Sequence, residues 1–103
     1  MSDIKAWLET TGLPVAEIKF NSKNIAPPFV VYTESCQIRG ADEKNCIAER
    51  DIRVELYCIK ISPAIEGKVE ALLDKIPYNR ERLWIAEEGI FMTVYEFSLV
   101  EVI

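Results

Sequence analysis

The chain has 103 residues, half of them apolar and 28% charged, a size and composition that fit one soluble globular domain over residues 1–103. Seventeen acidic side chains oppose twelve basic ones and leave a net charge of −5, with no run of basic residues of the kind that grips nucleic-acid phosphates or anionic membranes. Histidine is absent, which removes Ser-His and Cys-His nucleophile pairs and imidazole ligands; apolar runs such as Phe29-Val30-Val31-Tyr32 reach four residues, where a membrane-spanning helix needs about 20.

Residues 3–11 place Ile4, Trp7, Leu8 and Thr11 on one helical face, with Ser2 or Asp3 as cap, Gly12 as a left-handed stop and Pro14 against resumption. So short an amphipathic helix must dock to be stable. Residues 15–20 alternate as a short strand, Asn21-Ser22-Lys23-Asn24 is turn chemistry, and Pro27-Pro28 leads into a strand over residues 29–34. Residues 35–48 show no clear period and are expected to form a long polar loop. Residues 49–60 read as the clearest strand, with Ile52, Val54, Leu56 and Cys58 on one face and Arg53, Glu55 and Tyr57 on the other.

Ser62-Pro63 is a helix start, and Ile65, Val69, Leu72, Leu73 and Ile76 keep helical spacing to about Lys75. Strands at about 80–87 and 90–101 close the chain around a Glu88-Gly89 turn. The last strand is apolar on both faces, which predicts either a central position under a covering layer or burial by another subunit. The order α-β-β-β-α-β-β predicts an α+β domain: a largely antiparallel sheet with two helices packed on one face, the second helix joining neighbouring strands.

No constellation carries a reaction. Glycine-rich phosphate loops are missing, and Glu87-Glu88 reads as solvated hairpin charge. Asp42-Glu43-Lys44 lacks the oxygen spacing of a hard-cation loop. Cys36, Cys46 and Cys58 form no C-x-x-C pair, so no zinc site is expected; Cys58 reads as a core side chain, and Cys36 and Cys46 as free thiols in a reducing compartment, with a structural disulfide as the alternative. Trp7 and Trp84 read as packing residues, Arg80-Glu81-Arg82 as solvated, and Tyr57, among charges, as an interface candidate. The expected catalytic, metal and cofactor sets are therefore empty.

The stretches Pro28-Phe29-Val30-Val31-Tyr32-Thr33-Glu34, Arg39-Gly40-Ala41-Asp42, Ile52-Arg53-Val54-Glu55-Leu56-Tyr57 and Glu66-Gly67-Lys68-Val69-Glu70-Ala71-Leu72-Leu73-Asp74, with the closing hairpin, resemble phage and prophage tail terminator (tail completion, tail-to-head joining) proteins of long non-contractile-tailed phages. The resemblance covers nearly the whole chain. It implies a non-enzymatic structural part: a ring of copies, often six, that caps the tail tube, binds the tail-tube protein on one side and a head-side connector protein on the other, and resides in the virion tail after synthesis in the host cytoplasm. The contact residues it suggests are Arg39, Asp42, Glu43 and Lys44 in the loop and Arg53, Glu55 and Tyr57 on the strand face. The sequence leaves two other readings open: a cytosolic small-ligand or regulatory binding domain working as a dimer, and an enzyme with Cys36 or Cys46 as nucleophile activated by a helix N-terminus or a nearby cation.

Overall fold

The computed structural model describes residues 4–17, 26–39 and 47–102. The elements are α1 (Ile4–Glu9), β1 (Val15–Glu17), β2 (Phe29–Arg39), β3 (Ile47–Cys58), α2 (Pro63–Leu72), β4 (Asn79–Ile85) and β5 (Ile90–Val102). The five strands form one sheet in the order β1-β2-β3-β5-β4; β1 runs parallel to β2 and every other pairing is antiparallel. The α+β class, the element order and the mostly antiparallel sheet are those the sequence predicts.

Strand alternation divides the side chains between two faces. Val30, Tyr32, Ile52, Val54, Leu56, Cys58, Tyr95 and Phe97 turn to one side, where Ile4 and Leu8 of α1 and Val69 and Leu73 beside α2 complete a single core. Trp7 meets Phe97 edge-on at 5.9 Å, which fastens α1 over the middle of β5. Gly12 (φ 84°) ends the turn after α1, and Gly89 (φ 63°) closes the β4–β5 hairpin. Ser62 caps α2 by accepting from the Ile65 N–H at 3.3 Å, with Pro63 in the first turn. The Pro27–Pro28 bond at the entry to β2 is cis.

Two expectations need correction. Residues 35–48, expected as a long polar loop, begin and end as strand: β2 runs to Arg39 and β3 starts at Ile47, while residues 40–46 lie outside the described set. From Thr33 to Gln37 the side chains on both faces of β2 are exposed, so no apolar alternation marks this part of the strand. The second helix does not join neighbours. It carries the chain from β3 to β4, which run parallel with β5 between them.

Arg80 and Arg82 are exposed, as the sequence predicts, and are in addition bound to α2. The Arg82 guanidinium donates to both oxygens of Glu66 (2.7 and 2.9 Å), Thr93 donates to Glu66 at 2.8 Å, and Arg80 and Tyr95 donate to Glu70 at 2.8 and 2.9 Å. Glu66 and Glu70 stand one turn apart on α2, the arginines two apart on β4 and the hydroxyls two apart on β5, so helix and strand periods coincide over two rungs. Glu66 is only 2% exposed. The Arg82 hydrogen bonds hold its carboxyl below the usual range, with Thr93 adding to the effect and burial opposing it.

Candidate functional site

The opposite face carries no helix among the described residues. By register its cross-strand rows include Phe29–Tyr57–Met92–Leu83, Val31–Glu55–Val94–Glu81, Thr33–Arg53–Glu96–Asn79, Ser35–Asp51–Ser98 and Gln37–Glu49–Val100. The first row is apolar and the later ones grow polar toward the extended hairpin. Ile90, Met92 and Val94 are buried here by the chain itself, so the two-sided apolar character of β5 reflects its central place in the sheet. Val100, further along, is 65% exposed.

Arg53, Glu55 and Tyr57 come together as the alternation predicts. The Arg53 Nε donates to Glu55 Oε2 at 2.9 Å and the Tyr57 hydroxyl donates to Glu55 Oε1 at 3.0 Å, so one carboxylate ties both neighbours in a line along β3. Tyr57 also stacks on Phe29 across the strand pair, centroids 4.9 Å apart and planes 21° from parallel. Burial, and then the hydrogen bond to Glu55, push the Tyr57 phenol up to about 12, so it stays a neutral donor at neutral pH. The other sequence candidates are not joined to this line. Arg39 closes β2, and Asp42, Glu43, Lys44 and Cys46 lie outside the described residues.

Beside the line lies an open groove of about 830 Å³, lined by Thr33, Ser35, Asp51, Arg53, Glu96 and Ser98, with Pro77 and Tyr78 at its β4 side. Ser98 donates to Asp51 at 2.6 Å across its floor. Sequence reading missed Asp51 and Glu96. Their signal was present in the alternation of β3 and β5, but it needs the strand pairing to set Glu96 opposite Arg53. Among the described side chains this face holds five carboxylates (Glu49, Asp51, Glu55, Glu81, Glu96) and one cation, Arg53.

The described thiols are free: Cys36 is exposed on β2, and Cys58 is buried, which raises its thiol pKa. Arg50, paired across the strands from Cys36, is engaged by Glu34 through its Nε at 2.9 Å. No cluster of three or more potential metal ligands occurs among the described residues, and none of their helices is long and apolar enough to cross a membrane.

These features define an α+β domain with one helix-covered face and one open, acidic sheet face. No protein-family model and no curated protein matches the sequence. The fold, however, is shared with a solved chain from the "Virion of native gene transfer agent (GTA) particle", at a TM-score of 0.60 and 12% identity, over 94% of this chain and 84% of that one.

Proposed function

We propose that this chain is a non-enzymatic structural virion protein, a tail terminator or completion protein that forms a ring at the end of the tail tube and joins it to a head-side connector. The observation that carries the reading is the fold shared along nearly the whole chain with a component of a gene transfer agent virion. The residue-level resemblance to tail terminators supplies the finer role. The open face supports it physically. Among the described side chains, five carboxylates against one arginine give a surface that repels a nucleic-acid backbone at short range, within the Debye length of about 8 Å in physiological salt. On the inner wall of a ring, such a face lets DNA pass without holding it.

In this reading the line of Arg53, Glu55 and Tyr57 borders the lumen or meets the next copy, and the loop with Arg39, Asp42, Glu43 and Lys44 meets the tube or the connector. The experiment is to mix the purified protein with growing tail tubes made from the tube protein encoded beside it, and to image the products. The expected result is a ring on one tube end and arrest of growth there. A protein that neither forms rings nor caps tubes overturns the role. The groove favours the second reading, a small-ligand or regulatory domain working as a dimer. That reading predicts saturable ligand binding, with no effect on tubes.

A further inference from the structure

The sheet ends in two flanks of opposite strand direction. β4 forms one and β1 the other; β1 runs with β2 and β5, while β3 and β4 run against them. Both outer edges lack a hydrogen-bonded strand partner among the described residues. An unpaired edge is a template for another strand, and proteins usually guard it with proline, a bulge or outward charge. β4 has no proline, its seven residues pair in continuous register with β5, and both of its arginines are drawn back onto α2 by Glu70 and Glu66. Its last residues present apolar surface to both sides: Leu83 is 37% exposed on the open face and Trp84 55% exposed on the helix face.

We propose that β4 of one copy pairs antiparallel with β1 of the next, joining the sheets head to tail. This rests on the ring reading above and names its contact. The strand directions require it: translating the sheet sideways brings β4 against a β1 of opposite direction, with the helices of both copies on one side and both acidic faces on the other. One register satisfies both chemistry and pleat. It sets Arg82 opposite Glu17, Leu83 opposite Ala16 and Trp84 opposite Val15. Glu17 and Val15 belong to the helix side of β1, as Arg82 and Trp84 do to that of β4, while Ala16 and Leu83 share the open side. Glu17 is an exposed carboxylate and Ala16 is half-buried, so the Arg82 guanidinium, held by Glu66 and still 38% exposed, gains a second anion, and each exposed apolar side chain of β4 meets an apolar neighbour. The two edges differ, so the contact is heterologous: it does not stop at a dimer, and a rotation between successive copies closes it into the ring of the reading above.

The test uses the full chain with Cys36→Ser and Cys46→Ser, into which Ala16→Cys and Leu83→Cys are introduced singly and together. Directly paired strand residues lie within disulfide range. Mild oxidation of the double variant is expected to give a ladder of covalent multimers ending at one closed size, while neither single variant cross-links. Native mass spectrometry of the unsubstituted chain reports assembly independently. Rings there without a ladder overturn the β4–β1 contact and leave the ring reading standing. A dimer from Leu83→Cys alone shows two-fold β4–β4 pairing and overturns the contact as well. A monomer at every concentration, with no ladder, overturns both. Glu17→Lys is expected to reduce assembly at least tenfold with an unchanged circular dichroism spectrum; unchanged assembly counts against the register.

Discussion

Both faces of the sheet carry a carboxylate bound to an arginine, and the two pairs have different tasks. On the covered face, Glu66 is enclosed by α2, Arg82 and Thr93, and its charge is stabilised chiefly by the Arg82 and Thr93 hydrogen bonds. On the open face, Glu55 sits between Arg53 and Tyr57 with water near, so each member has solvent as an alternative partner. Removing a partner is therefore severe on the first face and mild on the second. The same chemistry fixes the position of a helix where it is buried, and leaves a surface available for contact where it is not.

The comparison is sharpest where whole side chains are removed. Leu56→Ala on the covered face is expected to destabilise the fold by about 3–4 kcal/mol, because Leu56 is fully buried and the helices above limit collapse into the cavity. Met92→Ala, its cross-strand neighbour's counterpart on the open face, is expected to cost about 2 kcal/mol, since water and neighbouring side chains can fill the gap. Denaturant unfolding measures both. Equal losses break the distinction between the faces.

Next in size, Glu66→Ala is expected to cost about 3 kcal/mol, leaving the buried Thr93 hydroxyl and the Arg82 guanidinium without their acceptor. The pH dependence has a definite sign. The folded carboxyl titrates below its ordinary value of 4.5, so its contribution is complete above that value and is lost as the pH falls through the lower, folded value. Stability followed from neutral pH into acid should fall less steeply in Glu66→Gln than in the unsubstituted chain. Parallel curves would show that the clamp is not what acid releases.

Elements with a period matched to one buried face were legible in the sequence. The alternation Ile52, Val54, Leu56, Cys58 gave β3 its face, and Ser62-Pro63 marked the start of α2. Of the candidate site, the line of Arg53, Glu55 and Tyr57 was legible because it lies within one strand. The end of β2 was not: its side chains from Thr33 to Gln37 are exposed on both faces, so they carry no periodic mark of burial. The clamp was also hidden. Arg80 and Arg82 on a strand look solvated until the crossover of α2 sets Glu66 and Glu70 above them, and that depends on β5 inserting between β3 and β4. Glu96 meets Arg53 only through pairing between strands far apart in the chain, whereas Asp51 stands two residues before Arg53 on the same face of β3 and was open to the same alternation.

Tyr57→Phe gives a smaller effect. It keeps the stack on Phe29 and deletes the hydrogen bond to Glu55, for an expected loss of about 1 kcal/mol at neutral pH. The folded phenol is raised from 10.0 to about 12, so its contribution is whole below pH 10 and is lost as the pH rises toward the folded value, where the unfolded chain ionises first. Alkaline unfolding of the variant should be correspondingly flatter over that interval. A curve of unchanged slope would assign the alkaline loss to Tyr95, whose phenol burial also raises.

Arg53→Ala should move unfolding least, by less than about 0.5 kcal/mol, because the guanidinium is largely hydrated and Glu55 keeps its tyrosine donor. Its effect on the face is larger. Arg53 is the one cation among the described side chains there, and without it Glu96 and Asp51 stand beside the groove with no opposing charge among those side chains. If the open face lines a lumen, the substitution leaves ring formation intact and weakens residual adsorption of DNA, most visibly at low salt. If the face instead receives the next copy, assembly itself falls while unfolding stays where it was. Sedimentation and DNA retention measured on one preparation separate these outcomes. A large loss of stability in their place would mean that the open face belongs to the fold as fully as the covered one, and that the two carboxylate–arginine pairs do the same job.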